Sequence, residues 1–435
     1  MTYAIPLAYA ALGAFSMVMQ TILLREFFVV AAGNEIAFGI AMGGWLLGVG
    51  AGSLAGAFFS RSRRSTATAF SWAVLALVIV APLLLAAARS LHRLGGVPQG
   101  ALMPLAKTLT LIPLLTLPFS SLCGFAFPLA GKLCSPDPDK AARTMASAFT
   151  WEALGAMAGG LGYTFWLVGN FLPATIIALF ALFLILGSGI ACQRAMSATA
   201  FASAVLAALL LVAALGSGWT KRFESWLVRQ RWQGISSSEL VAARDTKYQN
   251  LQLGLADGQY SLFANGQLAA VFPDDANDEV LAAQLLSQHP QPRNILVIGD
   301  VFAGLARHLL RYPLSSLTAV EIDDGTTGLI RGHLDAGGRA VLDDPRLHTR
   351  VMDGRRFVLL AARRARGKRN LYDLVFIHQP DAWTAQLNRY YTREFFLDLR
   401  EILAPGGVVA LRLASAENSR SRIVCMTMLK APKAA

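Results

Sequence analysis

The sequence predicts a multi-pass α-helical membrane domain followed by an α/β doubly wound domain that carries a small β-rich subdomain at its N-terminal side. Three observations predict it. First, 54% of the 435 residues are hydrophobic and only 15% are charged, where a soluble chain carries about 25% charged residues. Second, the charges are unevenly divided. Residues 1–216 hold 11 of the 39 Lys and Arg and 5 of the 27 Asp and Glu; the rest lie beyond. Third, after residue 290 short apolar runs alternate with amphipathic ones, the rhythm of a parallel sheet with helices on its faces. A wholly soluble enzyme, a secreted protein and a disordered chain are excluded.

In the first half, seven stretches are long and apolar enough to cross a hydrocarbon layer about 30 Å thick: residues 4–24, 36–59, 66–88, 108–129, 146–168, 172–191 and 197–214. The N-terminus lacks a basic leader and a small-residue cleavage site, so the first stretch is expected to be a retained span. Pro113, Pro118 and Pro128 break the pattern of the fourth. Gly44, Gly48, Gly52 and Gly56 recur every four residues in the second, a face that a neighbouring helix can approach closely; Gly155 and Gly159 repeat the device. Gln20 is expected to hydrogen-bond between helices. Glu152 has two readings, an acid at functional depth or one that reaches the interface or pairs with Lys107. Basic residues sit on both sides of the spans: Arg61, Arg63, Arg64, Lys132, Lys140, Arg143 and Arg194 after alternate spans, Arg25, Arg89 and Arg93 opposite. With Lys221, Arg222, Arg229 and Arg231 beyond the last span, positive-inside reasoning leaves the side of the soluble domain open.

Between the halves, Trp219, Phe223, Trp226 and Leu227 fall at helical spacing among those four basic residues, the pattern of a helix lying in the headgroup plane. The expected domains are therefore 1–216 (membrane), 217–237 (interfacial linker), 238–290 (β-rich) and 291–435 (doubly wound). Cys123, Cys134, Cys192 and Cys425 show no metal-ligand spacing, so neither a disulfide framework nor a metal site is expected. The net charge of +12 raises the question of nucleic acid. The basic residues, however, sit at membrane-proximal loops and in one surface run, Arg363, Arg364, Arg366, Lys368 and Arg369, and no nucleic-acid-binding signature is present. That run is read as a solvated loop or a contact for anionic headgroups.

In the soluble half, LVAAR, NLQLGLA, YSLFA and QLAAV alternate like strands, with Asp257-Gly258 and Asn265-Gly266 as hairpin turns. Beyond Pro290, five strands are expected near 294–299, 317–323, 347–353, 372–377 and 406–413, with helices between them. Ligands of such sheets bind at the carboxyl ends of the strands. There Gly299 closes the first strand, Glu321 ends the second where a ribose diol can donate to it, Asp353 ends the third, and Asp381 follows the fourth. Acids after successive strands around a glycine turn suit a nucleoside. For Asp353, followed by Gly-Arg-Arg, a helix N-cap is the competing reading.

The series VIGD, TAVEID, VMDGRRF, YDLVFI, PD, TAQLNRYYTREFF and LAPGGVV resembles the spermidine synthase (aminopropyltransferase) domain. The chain as a whole resembles bacterial membrane-fused spermidine synthase-like proteins, with TKYQN at 246–250 and SMVMQTILLRE in the first span as further matches. The resemblance covers most of residues 1–415 and is most specific from Thr384 to Phe396. It implies a Rossmann-like fold of the S-adenosylmethionine-methyltransferase type in a multi-pass protein of the bacterial inner membrane. Gln249, Gly299, Gly304, Glu321 and Asp353 would bind decarboxylated S-adenosylmethionine, or a related adenosyl compound, as co-substrate. Asp381 and Tyr391 would line the site of a polyamine such as putrescine or another small amine, and His378 and Asp381 would be catalytic.

Departures from the family pattern are equally specific. The glycine-rich turn reads Gly299-Asp300-Val301-Phe302-Ala303-Gly304, with larger residues at the inner glycine positions. His378 stands where the family has its acidic base, Asp278-Glu279 is followed by Val-Leu-Ala-Ala in place of Tyr and His, and a last β-hairpin is not evident before Ala435, as if the sheet were truncated. Histidine can take a proton near neutral pH but brings no negative charge to a cation. Besides the aminopropyltransferase, two alternatives stay open: a non-catalytic nucleoside- or amine-binding relative coupled to the membrane helices, and a methyltransferase on the same fold. Oligomeric state stays open too.

Overall fold

The computed structural model describes residues 4–61, 66–134, 141–193, 195–365, 371–380, 384–413 and 425–430. They form two compact units, Met1–Ser237 and Ser238–Ala435. The first unit is helical: α1 (Ala4–Val30), α2 (Glu35–Ser60), α3 (Thr66–Arg89), α4 (Leu91–Leu94), α5 (Leu105–Cys134), α6 (Ala141–Gly162), a π-helical turn (Tyr163–Leu167), α7 (Val168–Asn170), α8 (Pro173–Cys192), α9 (Ala198–Gly216) and α10 (Trp219–Ile235).

Among the described residues six helices are long and apolar enough to cross a membrane: α1, α2, α3, α5, α8 and α9. Seven were expected. The stretch at 146–168 is helical, as α6 and the π-helical turn, but Thr150, Glu152 and four glycines between 155 and 162 dilute its apolar character. The prolines of α5 do not break it. Pro128 lacks the N–H that would bond the carbonyl of Gly124, and Ser53 Oγ of α2 donates to that oxygen at 3.2 Å, so the freed acceptor is satisfied inside the bundle.

The glycine face of α2 is filled within the same chain. Gly44, Gly48, Gly52 and Gly56 are buried, and a methyl group added to them would overlap Thr116, Ser120, Ser121 and Phe125 of α5 respectively. Gly13, Gly155 and Gly159 bring α1 against α6 in the same way. Gln20 Nε2 reaches Met42 Sδ at 3.1 Å, linking α1 to α2. Lys107 does not serve Glu152; its Nζ donates to Gly95 O at 2.6 Å, closing the turn after α4.

Helix α10 is two-sided. Trp219, Phe223 and Trp226 stack in succession, with ring centroids 5.0 and 5.9 Å apart, and both tryptophans are exposed. The other face carries Glu224, Leu227 and Arg231, all buried. Arg231, expected among the headgroup-facing cations, instead donates from Nη1 to Glu26 Oε2 at 2.9 Å. Arg89 donates from Nε to Glu26 Oε1 at 2.9 Å and from Nη1 to Glu224 Oε1. The second oxygen of Glu224 accepts the Ala174 N–H at the start of α8, at 3.0 Å. Two cations and two anions, Arg89 and Glu26 being 0% and 5% exposed, thus join α1, α3, α8 and α10.

The second unit opens with a four-stranded antiparallel sheet, β1 (Glu239–Asp245), β2 (Asn250–Ala256), β3 (Gln259–Ala264) and β4 (Gln267–Phe272). Asp257-Gly258 and Asn265-Gly266 all have positive φ, as a two-residue turn of the primed type requires. There follow α11 (Asp275–Leu286), β5 (Asn294–Gly299), α12 (Leu305–Leu309), β6 (Ser316–Glu321), α13 (Asp324–His333), α14 (Ala336–Leu342), β7 (Leu347–Val351), α15 (Gly354–Arg364), β8 (Tyr372–His378), α16 (Ala385–Asn388), α17 (Arg393–Ile402), β9 (Leu403–Leu413) and β10 (Cys425–Lys430). The sheet order is β10-β9-β8-β5-β6-β7, parallel except for β10. The sheet therefore has six strands where five were expected, because the chain returns antiparallel along β9. Of the basic run, Arg363 and Arg364 end α15; Arg366, Lys368 and Arg369 lie outside the described residues.

Two outcomes test the packing. Gly52→Leu should cost several kcal/mol, since overpacking alone costs about 1–3 kcal/mol and the obstacle is backbone. Gly50→Leu, where nothing lies within 4 Å, should be neutral; thermal unfolding of the detergent-solubilised chain separates them. Glu26→Ala strands Arg89 and Arg231 without their shared anion and should cost about 3–5 kcal/mol in the same assay.

Candidate functional site

Strands β5 and β8 lie side by side at the centre of the sheet, and the crossovers leave them in opposite directions, toward β6 on one side and β9 on the other. That reversal opens a crevice at their carboxyl ends. Gly299 and His378 are register partners there. Gly299 has φ +119°, and a side chain on it would run into the carbonyl of His378, so its lack of a Cβ serves the approach of two strand ends.

Beside this point a cavity of about 570 Å³ is bounded by β4, α11, the turn after β5 and the end of β8. Asp274, Asp278, Asp300 and His378 line it, and Val301 and Gly304 complete the wall. Asp278 sits so close to Gly304 that a methyl group there would overlap its carboxylate. Burial, with the neighbouring Asp274, Asp300 and Asp275, pushes the Asp278 carboxyl up to about 7. Burial also raises the Asp300 carboxyl, opposed by His378 and by the N–H groups of Phe302 and Ala303. The Phe302 N–H donates to Asp300 Oδ1 at 2.9 Å. The His378 ring stacks on Phe376, and its Nδ1 lies 2.5 Å from the backbone oxygen of Asp300. A second cavity of about 410 Å³ shares Asp274 and Gly304 and is walled by Tyr260, Phe272, Phe302 and His333.

Of the residues expected to hold the adenosyl co-substrate, Gly304 lines both cavities, whereas Gln249, Gly299, Glu321 and Asp353 are not in their lining. Glu321 is 8% exposed; its Oε1 accepts the N–H groups of Ile322 at 2.9 Å and Asp323 at 3.3 Å. Burial, then Asp300, pushes its carboxyl up to about 7. Asp353 is the N-cap of α15, accepting the Arg356 N–H at 2.9 Å, and pairs with Arg389, so the capping reading describes its contacts here. Gln249 Nε2 donates to Thr326 Oγ1 at 2.9 Å, and Thr246 Oγ1 to Asp323 Oδ2 at 2.6 Å. Through them the β-subdomain is tied to the start of α13. Tyr391 donates to the carbonyl of Pro380 at 2.9 Å. Asp381 lies outside the described residues. Asp274, Asp278 and Asp300 were not expected to converge with His378; the sequence places them on α11 and on the turn after β5, and carries no local signal that these meet.

Fold and cavity together define a doubly wound α/β domain with an acid-lined crevice at its switch point. Residues 274–426 match the spermine/spermidine synthase domain family. A polyamine aminopropyltransferase of Mycobacterium tuberculosis is 26% identical over 429 residues, 94% of this chain and 76% of that protein. One from Nitrosomonas europaea is 28% identical over 188 residues, 42% of this chain, which spans about half (54%) of that relative's length. A crystal structure of a spermidine synthase in complex with the transition-state analogue AdoDATO aligns over 40% of this chain and 58% of its own, at 20% identity and a TM-score of 0.35. Through its C-terminal half the chain is spermidine synthase-like.

A titration tests the acidic crevice. Because the folded Asp278 carboxyl is raised from 3.8 to about 7, its contribution to stability is present below pH 4 and is lost as pH rises through 7. Asp278→Asn should therefore gain thermal stability over wild type as pH goes from 5 to 8. A difference independent of pH would refute the environment described for this carboxyl.

Proposed function

We propose that the protein is a membrane-anchored aminopropyltransferase of the bacterial inner membrane, which moves an aminopropyl group from decarboxylated S-adenosylmethionine to a polyamine such as putrescine. The observation that carries this reading is the cavity at the switch point, where three carboxylates and one histidine meet: an environment for a cation that must give up a proton. The spermidine synthase-like character of residues 274–426 supports it, and the six apolar helices support anchoring.

In the transfer, the lone pair of a neutral amine attacks the carbon beside the sulfonium. The carbon–sulfur bond breaks with its electrons going to sulfur, which leaves as a neutral thioether, and the new ammonium loses a proton. His378 is the proposed proton acceptor. Asp381 and Tyr391 are proposed to hold the acceptor amine. Glu321 is proposed to accept from the ribose diol and Asp353 to meet the adenine, with Gln249, Gly299 and Gly304 completing the donor site. The backbone bonds to Glu321 converge on one oxygen, Oε1, which suits the other for a ligand.

A second reading, a binding protein without catalysis, is favoured by Val301 and Phe302. They are 1% and 3% exposed and fill space at a turn where the family has glycine. Product analysis by mass spectrometry on the detergent-solubilised chain separates the readings. Spermidine and methylthioadenosine should form together from putrescine and decarboxylated S-adenosylmethionine. His378→Ala should lower turnover by about 10²-fold or more, the usual contribution of a general base. Glu321→Gln should weaken donor binding at least about tenfold, as loss of one charge-assisted bond worth about 1.5–3 kcal/mol requires. Donor binding without product would favour the second reading, and a methylated amine formed from S-adenosylmethionine would make the chain a methyltransferase.

A further inference from the structure

Resting on that reading, we propose that Asp300 is a working residue of the amine site: its backbone carbonyl orients His378, and its carboxylate binds the cationic acceptor and the imidazolium formed when His378 takes a proton. Asp300 was singled out in the sequence only as a bulky replacement in a glycine turn. The structure puts it to another use. Because Gly299 and His378 are register partners at adjoining strand ends, the first residue after β5, Asp300, leaves the sheet beside the His378 ring.

The backbone oxygen of Asp300 can only accept, so the 2.5 Å contact with Nδ1 places the proton on Nδ1. In the neutral ring the lone pair is then on Nε2, the nitrogen that must take the proton. The orientation is reinforced by Phe376, whose ring stacks on His378 with centroids 4.9 Å apart. The carboxylate of Asp300 is held separately. Its Oδ1 accepts the Phe302 N–H at 2.9 Å, and it lines the same cavity as His378. Among the described residues the charged groups near this pair are Asp274 at the N-cap of α11 and Asp278 within it, which line the cavity, and Glu321 at the end of β6, whose carboxyl the charge of Asp300 helps to raise. Three of these carboxyls, Asp274, Asp278 and Asp300, share the cavity with His378, so a cation entering it relieves the repulsion among them.

Two departures from the family pattern then have one explanation. An acid is missing at His378 and an acid is present at Asp300, one residue beyond the register partner of His378. Taken singly, each is damage to a site. Taken together, they move a negative charge from the end of β8 to the end of β5 while a neutral base occupies the vacated position.

Asp300→Asn in the full-length, detergent-solubilised chain is the direct test, because asparagine keeps the backbone carbonyl and an oxygen for the Phe302 N–H while removing the charge. The KM for putrescine should rise tenfold or more, and donor binding should change less than twofold. The acid limb of the pH–rate profile should move to lower pH, since an imidazolium without that neighbouring anion deprotonates more readily; a residue with a purely structural role would not move it. The double variant His378→Asp/Asp300→Gly, which carries the charge back across the strand pair, should recover most of the lost affinity for putrescine. An unchanged KM with an unmoved acid limb in Asp300→Asn would overturn the proposal while leaving the aminopropyltransferase reading intact. If wild type makes no product, that reading fails by itself, and calorimetric titration with putrescine alone decides for Asp300. Weaker binding by Asp300→Asn than by wild type supports it; equal binding, or none by wild type, overturns it.

Discussion

The α/β half depends on one close approach. At the switch point the carbonyl of His378 stands where a side chain on residue 299 would be, so β5 and β8 can end together only over a glycine in a left-handed conformation. Everything near the site follows from that contact. It sets the direction in which the chain leaves β5 and so brings the Asp300 carbonyl to the imidazole. It also leaves room between the turn and α11 for the cavity where Asp274 and Asp278 face the same histidine. The cost is electrostatic: burial, with the charges of Asp274, Asp300 and Asp275, pushes the Asp278 carboxyl up to about 7. Carboxyls held together in this way are poorly satisfied without a cation, which is what the proposed amine substrate would supply.

In the helical half the constraint is closeness of another kind. Glycines let α2 approach α5 and α1 approach α6 to backbone contact. Charge completes the assembly where α10 closes the first unit. Burying Arg89 or Glu224 alone would be prohibitive, but in a neutral set of four each finds a partner, and α10 is thereby held against α1, α3 and α8. The two tryptophans of α10 remain exposed, so one helix satisfies a buried polar network on one side and leaves an aromatic surface on the other.

Much of this was legible residue by residue. The two-residue turns at Asp257-Gly258 and Asn265-Gly266 announce themselves because only a few residue types tolerate positive φ. The central strands show as continuous apolar runs because both faces are covered. Where expectation and structure part, a distant group is responsible. Pro128 reads as a helix breaker until Ser53 of another helix satisfies Gly124. Arg231 reads as a headgroup cation until Glu26, 205 residues earlier, takes it. Asp353 serves a helix terminus and Arg389 in this structure, a use its sequence context allowed alongside the nucleoside one.

By itself, the sequence determined the division into an apolar helical half and a charged α/β half, the alternation of strands and helices, the hairpin turns, and which residue types stand at the strand ends. These depend on local periodicity and backbone preference, which act over a few residues and can be read from them. Only the tertiary structure decided which helix fills the glycine face of α2, which charges pair around Arg89, and that acids from α11 and from the turn after β5 share a cavity with His378. Those are choices of partner between segments far apart in the chain. They are made by shape, burial and charge when the core closes, and a one-dimensional pattern holds no record of which surfaces will meet.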